Sequence, residues 1–219
     1  MAYSSLKPPA LTGSLFEALS PRLFARPTPL VASLLVGRLV IVQQQDGSLR
    51  IDLLTETEAY LGAEDAASHA RFGPTQRTRI MFETTAHWYL YFIYGMHTLA
   101  NITTDKDGAG AVLLRATAHA SGPARLVRLL GLSQHLHLGK PVAPESGAWI
   151  SRFRFTPTRI QALPRVGIAY AHPKWREAPL RFVGEWRQSP AKMLASLLQR
   201  HDEQVRRLRV LPPHASPTQ

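Results

Sequence analysis

Apolar and polar positions in the first part of the chain predict a β-hairpin. Residues 38–44 form an apolar run rich in β-branched side chains, which favours a strand. Asp46 and Gly47 follow, and this dipeptide is typical of a tight hairpin turn. Residues 49–60 continue with mixed apolar and polar positions, so we expect them to form the return strand.

A second set of strands is predicted downstream of a polar loop at 61–79. Residues 87–94 are almost continuously aromatic or β-branched, which predicts a strand buried on both faces. Glycine-containing turns at 95–96 and 107–108 separate this run from further strands at 97–104 and 111–117. Strands that follow one another through short turns indicate an antiparallel meander.

Helix-start signals occur at four places. They are a capping box at Ser14 to Glu17, Thr28 before Pro29 with a stop at Gly37, Pro123 within an amphipathic stretch at 121–132, and Ser189 before Pro190 in a last helix that ends in basic residues 206–209. Residues 133–151 lack a clear pattern, so we expect a loop there. Residues 165–170 and 180–183 are predicted to be strands.

Length and composition indicate one folded domain. The chain has 219 residues, 45 % of them apolar, which is enough to bury a substantial core. The absence of cysteine excludes disulfides and cysteine zinc sites and fits a reducing compartment. We expect no signal peptide at residues 1–20, and the apolar runs are too short to span a bilayer.

The charge favours a polyanionic partner. Twenty-six Lys and Arg residues against fifteen Asp and Glu residues leave a formal charge of +11, and only five of the basic residues are lysines. Guanidinium groups suit bidentate contacts with phosphate. A genome rich in G and C would also favour arginine, so the charge alone leaves both explanations open.

Two segments carry candidate chemistry. Glu56, Glu58 and Tyr60 alternate along the predicted strand 49–60 and therefore share one face, which is either solvated or functional. The aromatic run 88–94 is either a core strand or a surface on which a nucleobase stacks, an arrangement worth roughly 1–3 kcal/mol per base. Tyr91 lies in this run.

Seven motifs in order resemble those of the alkyladenine (3-methyladenine, methylpurine) DNA glycosylase family. They are Glu56-Thr57-Glu58-Ala59-Tyr60-Leu61-Gly62, Glu64-Asp65-Ala66-Ala67-Ser68-His69, Tyr89-Leu90-Tyr91-Phe92-Ile93-Tyr94-Gly95-Met96-His97, Asn101-Ile102-Thr103, Gly110-Ala111-Val112-Leu113-Leu114-Arg115-Ala116, Ser121-Gly122-Pro123-Ala124-Arg125-Leu126 and Arg165-Val166-Gly167-Ile168. The similarity covers residues 12–183. It leads us to expect a mixed α/β (α+β) fold: a single domain at 12–210, built around a curved antiparallel sheet with flanking helices and a projecting β-hairpin, with disordered ends at 1–11 and 211–219.

The resemblance implies two catalytic residues. Glu58 takes the position of the general base that activates the attacking water, and Arg115 lies beside it to help hold that water. Hydrolysis of a purine N-glycosidic bond passes through an oxocarbenium-like state, which a nearby carboxylate also stabilises. From the residues alone, Arg115 is equally a solvated strand end.

The resemblance also implies residues that handle the base. Tyr60, His69 and Tyr91 would enclose the flipped base, and Asn101 would oppose the amino group of normal guanine. Tyr94 would fill the space that the base leaves in the duplex, because a base must leave the stack before it can be attacked. Taken singly, His69 is more often a loop or core histidine, and Asn101 could be ordinary edge polarity.

The predicted activity is that of a monofunctional DNA glycosylase on alkylated or deaminated purines, without metal or organic cofactor. Damaged double-stranded DNA would be the partner of a bacterial, cytoplasmic, nucleoid-associated monomer, with Arg77, Arg79 and Arg125 as candidates for the DNA backbone. No lysine lies in the motifs, so we expect no lyase step through a Schiff base. The alternatives are a non-catalytic lesion-binding or nucleic-acid-binding protein on the same scaffold and an RNA-acting relative.

Overall fold

A computed structural model describes residues 15–93 and 95–210, without the side chains of Lys106 and residues 204–210. The wedge predicted at Tyr94 lies outside the described residues. So do the ends that were expected to be disordered, at 1–11 and 211–219, and the basic side chains at 206–209.

Within the described residues, eight strands form one antiparallel sheet. They are β1 (Arg38–Gln43), β2 (Leu49–Tyr60), β3 (Trp88–Ile93), β4 (His97–Thr104), β5 (Gly110–Thr117), β6 (Ala148–Arg154), β7 (Arg159–Leu163) and β8 (Arg181–Glu185). The main path runs β3-β4-β5-β2-β1-β6, and β8 pairs with both β2 and β7. Helices flank this sheet, so the α+β fold class expected from the sequence is confirmed.

Strand β2 is the centre of the sheet. Its first half pairs with β1 from Leu49 to Leu53, and its second half pairs with β5 from Leu54 to Tyr60. The register between β2 and β5 shifts twice between Leu54 and Thr57, and such irregularities bend a strand and increase its twist. The segment from Thr57 to Tyr60 is thereby placed among β5, β8 and the loops.

The predicted β1–β2 hairpin and the meander of β3, β4 and β5 are confirmed, but β2 and β3 are not neighbours in the sheet. After β2, the chain passes through two 3-10 turns, Gly62–Glu64 and His69–Phe72, and a short helix, Arg79–Glu83. This connection carries β3 to the outer edge of the sheet, so β2 pairs with β5 instead of β3. The stretch predicted as a polar loop therefore contains local helical structure.

In the part of the chain that the structure describes, six α-helices accompany the sheet. They are α1 (Thr28–Leu35), α2 (Arg79–Glu83), α3 (Pro123–Leu130), α4 (Gln134–His137), α5 (Pro173–Arg176) and α6 (Pro190–Val210). The remaining 3-10 turns are Pro21–Leu23, Lys106–Gly108 and Pro144–Ser146. Helix α3 buries Leu126 and Leu130 and exposes Arg125 and Arg128, as its amphipathic pattern predicts.

The helix predicted at the capping box does not form in residues 15–20. This segment instead follows strand β6, where the Leu19 amide donates to the Ile150 carbonyl at 2.8 Å and the Arg152 amide donates to the Glu17 carbonyl at 2.7 Å. An open strand edge satisfies backbone groups as well as a helix does. The cap predicted at Thr28 is also wrong, because its hydroxyl bonds to the Thr104 hydroxyl at 3.0 Å.

Two further segments differ from the prediction. The supposed loop 133–151 contains α4 and the start of β6, and the supposed strand 165–170 is a loop. Gly167 has φ +81° within that loop, a conformation that interrupts an extended strand. Strand β7, which ends just before this loop, was not predicted from the sequence.

The core lies between the sheet and helices α1, α3 and α6, and Trp88 and Trp149 are its largest fully buried side chains. Strand β3 is buried over its first half only: Phe92 is 50 % exposed, and Met96 beyond it is 69 % exposed. The prediction of burial on both faces therefore fails for the second half, because the β3–β4 hairpin projects from the body. No helix in the described residues is both long and apolar enough to cross a membrane.

Candidate active site

A pocket of about 490 Å³ opens where the β3–β4 hairpin meets the second half of β2. Its walls combine aromatic side chains with a few polar groups. Lining residues include Tyr60, His69, Arg77, Tyr89, Tyr91, Asn101, Arg115, Val166 and Tyr170. Tyr60, His69, Tyr91, Asn101 and Arg115, all predicted from the sequence as site residues, thus come together around one cavity.

Glu58 lies directly behind one wall of this pocket, with an exposed fraction of 0 %. Its Oε2 accepts a hydrogen bond from the Tyr60 hydroxyl at 2.9 Å, and its Oε1 accepts one from the backbone amide of Val166 at 3.0 Å. The Arg115 Nε atom lies 3.3 Å from the same Oε1. The interpretation of this strand face as solvated is therefore wrong at Glu58.

The surroundings of Glu58 act on its pKa in opposite directions. Burial raises the pKa, while the Val166 amide, the Arg115 charge and the Tyr60 hydroxyl lower it. The net result is a pKa above the ordinary glutamate value. Such a carboxylate is more basic than an exposed one, which suits a group that must accept a proton near neutral pH.

Arg115 is shared between two carboxylates. Its Nε donates to Glu56 Oε1 at 3.0 Å, and Arg181 donates to the same Glu56 oxygen at 2.8 Å. Arg115 lies inside strand β5 with 18 % of its side chain exposed, so it is not a solvated strand end. Glu56 and Arg181 therefore fix the position of the Arg115 guanidinium beside Glu58.

Tyr60 lies between the pocket and a buried ion pair. The guanidinium carbon of Arg165 is 4.6 Å from the centre of the Tyr60 ring, and Arg165 in turn pairs with Asp65. Burial and the Glu58 charge raise the pKa of Tyr60 well above its usual value. The phenol therefore stays protonated and donates to the carboxylate.

Three aromatic side chains form the opposite side of the pocket. The rings of His69 and Tyr91 lie 4.4 Å apart at an angle of 70°, and His69 Nδ1 is 3.0 Å from the Tyr89 hydroxyl. Burial and the nearby charges of Arg77 and Arg71 lower the pKa of His69 to about 4. The imidazole is therefore neutral at physiological pH.

Asn101 lies in β4 between β3 and β5, with an exposed fraction of 3 %. Its side-chain amide donates to the Tyr89 carbonyl at 3.2 Å. Because β4 has a neighbour on each side, edge polarity does not explain this residue. The hydrogen bond holds the amide at the pocket surface, where it contacts whatever enters.

Comparisons with known proteins agree with this geometry. The family model described as Methylpurine-DNA glycosylase (MPG) matches residues 22–120 and 117–187. The chain belongs to this family. Similar curated proteins, all from bacteria and all provisionally named 3-methyladenine DNA glycosylase, occur in Myxococcus xanthus, Anaeromyxobacter sp. and Chlorobaculum tepidum.

These relatives are similar over most of their length. The Myxococcus protein is 39 % identical over 180 residues, which are 72 % of this chain and 85 % of the relative. The Anaeromyxobacter protein is 38 % identical over 188 residues, or 77 % and 95 %, and the Chlorobaculum protein is 36 % identical over 167 residues, or 67 % and 79 %. Membership of the methylpurine-DNA glycosylase family makes the chain a DNA glycosylase, an enzyme of DNA repair.

The arginines predicted to contact the DNA backbone occupy different places in this glycosylase. Arg77 lies at the pocket, where its guanidinium carbon is 5.3 Å from the Tyr91 ring centre and Nη2 donates to the Phe92 carbonyl at 2.9 Å. Arg79 is an exposed residue of α2, and its Nε atom lies 3.5 Å from Oε1 of Glu83. Arg125 lines a separate cleft between α3 and the β3–β4 hairpin.

Several residues in or behind the walls of the methylpurine-DNA glycosylase pocket received no predicted role from the sequence. They are Glu56, Asp65, Tyr89, Arg165, Val166 and Arg181, all of which contact a predicted site residue or its partner. Tyr89 could have been found, since it alternates with Tyr91 along a strand and so shares its face. The described residues contain no cluster of three His, Asp or Glu side chains that could hold a metal ion.

Proposed function

We propose that the chain is a monofunctional DNA glycosylase that hydrolyses the N-glycosidic bond of alkylated and deaminated purines with a water activated by Glu58. The observation that carries this proposal is a buried carboxylate of raised pKa directly behind an aromatic pocket. A damaged purine would enter the pocket after flipping out of duplex DNA. The enzyme would act as a monomer.

Glu58 would remove a proton from water and stabilise the positive charge that develops on the sugar. Water would reach the carboxylate only from the pocket side, where Tyr60, Val166 and Arg115 surround it. Arg115 favours the ionised form of Glu58 and would help to hold the water. The residues around Glu58 would therefore position and activate the water, and the aromatic residues would bind the base.

The aromatic side chains would bind the flipped base. Tyr91 and His69 present ring surfaces on which a purine can stack, and Tyr60 approaches from the β2 side. Because His69 is neutral, it would not repel a positively charged alkylpurine. Candidate lesions are 3-methyladenine, 7-methylguanine, hypoxanthine and ethenoadenine, and bases that pair weakly leave the stack at lower cost.

A lyase step is not expected. Strand cleavage by a bifunctional glycosylase needs an amine that forms a Schiff base with the sugar. Among the described side chains that line the pocket there is no lysine. The product would be an intact strand with an abasic site.

Single-turnover base release from duplex oligonucleotides containing hypoxanthine or ethenoadenine tests the proposal. We expect release of the free base without strand cleavage until alkali is added, and no competition by RNA of the same sequence. Lesion binding without release, also on methylated DNA, would identify a binding protein instead. Strong competition by RNA would favour an RNA-acting relative.

Asn101→Ser is expected to relax the rejection of guanine. Shortening this side chain opens space beside the Tyr89 carbonyl, where the amino group of guanine would otherwise collide. Differences of this size in a pocket change discrimination by roughly 10–200-fold, so we expect guanine release to rise relative to hypoxanthine release. Competing single-turnover assays on the two bases measure this ratio, with Thr98→Ser on the same strand as the control.

Arg125→Ala is expected to reduce the salt dependence of DNA binding. Arg125 is exposed at the start of α3, beside the hairpin cleft, where a phosphate of the lesion strand would lie. Loss of one phosphate contact should make the negative slope of log affinity against log salt shallower by about 0.9. Arg152→Ala, on strand β6 at the far edge of the sheet, is the matched control. Equal slopes in the two variants would refute the contact.

A further inference from the structure

A buried ion pair lies beneath the pocket without lining it. The Asp65 and Arg165 side chains both have an exposed fraction of 0 %, and Arg165 binds both carboxylate oxygens with its two terminal nitrogens, Nη2 at 2.8 Å. Asp65 also accepts hydrogen bonds from the backbone amides of Leu61 at 3.1 Å and Ala67 at 3.0 Å. The carboxylate therefore ties Arg165 to the chain on both sides of Asp65.

Arg165 reaches from this pair to the strand that carries Glu58. Its Nη1 donates to the Ala59 carbonyl at 2.9 Å, and its guanidinium lies 4.6 Å from the Tyr60 ring centre. The next residue, Val166, donates its amide to Glu58. One dipeptide thus contacts both hydrogen-bond donors of the Glu58 carboxylate, since its side chain packs on Tyr60 and its backbone supplies the second donor.

We propose that the Asp65–Arg165 pair is a positioning device that holds the Tyr60 hydroxyl and the Val166 amide on the two oxygens of Glu58. This inference rests on the proposed function, in which Glu58 is the general base. Neither member of the pair contacts the pocket, so both act through Tyr60 and Val166. Displacing a catalytic group by about 1 Å can lower the rate by about 10²-fold. Fixing the position of the Glu58 carboxylate would therefore preserve the rate of base release.

The energetics of buried charges favour a positional role over a purely stabilising one. A buried ion pair contributes little net stability, because the cost of removing both charges from water offsets their attraction. The planar fork of Arg165 satisfies the Asp65 carboxylate, the Ala59 carbonyl and the Tyr60 ring together, a combination that the compact ammonium group of lysine cannot reproduce. Geometry at Glu58 is therefore the property that should change when Arg165 is replaced.

Several charged or titratable groups surround Glu58. They are Glu56 and Tyr60 on β2, Arg115 on β5, Arg181 on β8, Tyr91 on β3, and Asp65 and Arg165 in the connecting loops. A variant that tests hydrogen bonding at Glu58 must leave this set of charges unchanged. Arg165→Lys keeps the positive charge of the side chain and changes the shape and hydrogen-bond donors of the group. Any change in the pKa of Glu58 then reports altered hydrogen bonding and not a lost charge.

Arg165→Lys tests the proposal with Arg154→Lys as its matched control. Arg154 is partly buried and, like Arg165, donates to backbone carbonyls, those of Val36 at 2.9 Å and Ser33 at 3.3 Å, but it lies on β6 away from the pocket. In Arg165→Lys we expect single-turnover release to fall roughly tenfold with unchanged affinity for lesion DNA. We also expect a higher Glu58 pKa in a ¹³C carboxyl titration, because its two hydrogen bonds weaken. Arg154→Lys should change thermal stability alone.

The titration separates this inference from the proposed function, because it does not depend on activity. Wild-type protein that releases no base would refute the proposed function, while the Glu58 pKa would still report whether Arg165 positions its partners. Unchanged release and an unchanged Glu58 pKa in Arg165→Lys would overturn the inference alone. If Arg165→Lys does not fold, the neutral pair Asp65→Asn with Arg165→Gln replaces it, with the same expected loss.

Discussion

Glu58→Gln is expected to slow base release by about 10²–10⁴-fold in single turnover, the usual contribution of a general base. Glutamine has nearly the same shape and can keep a hydrogen bond with Tyr60 and with the Val166 amide, but it cannot accept a proton from water. Wild-type release should also decline on the acid side through a pKa above the ordinary glutamate value. A pH series of single-turnover rates measures both effects.

Stability separates this loss from misfolding. The pKa of Glu58 is raised in the folded state, so folding favours the protonated form, and the ionised form costs stability as pH rises through that pKa. Glu58→Gln should therefore be at least as stable as wild type at neutral pH. Glu83→Gln, an exposed carboxylate on α2, is the control. Release at the wild-type rate in Glu58→Gln would assign the base to another residue.

Tyr91→Ala is expected to weaken the binding of lesion DNA by about 10- to 100-fold, because a base stacked on an aromatic ring gains roughly 1–3 kcal/mol. The Tyr91 ring also packs 4.4 Å from His69 and lies 5.4 Å from Tyr89, so its removal widens the cavity as well. Affinity should fall for a duplex with a flipped lesion much more than for undamaged DNA. Titrations of both duplexes at one salt concentration measure the difference.

Tyr91→Phe is the matched control for this substitution. It keeps the ring and the contacts with His69 and removes only the hydroxyl, so lesion affinity should remain within a few-fold of wild type. Equal affinity of Tyr91→Ala and wild type for the lesion duplex would show that the base does not stack on this residue. An equal loss of affinity for damaged and undamaged DNA would show that Tyr91 contributes to general DNA binding and not to binding of the flipped base.

Local signals in the sequence predicted much of the sheet. The predicted turns at Asp46-Gly47 and 107–108 each join two predicted strands. These strands agree with β1, β2, β4 and β5 within about one residue at each end. Strand β6 was missed because its burial depends on partners far along the chain, β1 and residues 15–20. The prediction of an N-terminal helix was wrong for the same reason. Residues 15–20 form backbone hydrogen bonds with the edge strand β6 instead of the helix that the local capping box predicts.

The candidate site shows the same limit. Residue types and order predicted Glu58, Tyr60, His69, Tyr91, Asn101 and Arg115 as site residues. The structure places the last five around one pocket and Glu58 directly behind its wall. The groups that hold them come from distant positions: Val166 is 108 residues from Glu58, and Arg165 is 100 residues from Asp65. The alternation of side chains along a strand carries no information about such contacts. The burial of Glu58 could therefore not be predicted from the strand face that it shares with Glu56 and Tyr60.

The two sides of the pocket lie on different parts of the sheet. Glu58 and Arg115 belong to β2 and β5, which are fastened by β8 and the loop around Arg165, whereas Tyr91 and Asn101 belong to the β3–β4 hairpin. Under the proposed mechanism, substitutions in the hairpin would therefore change which bases are accepted and leave the hydrolytic residues in place. Such a division would allow base recognition to change during evolution while the residues of the reaction stay the same.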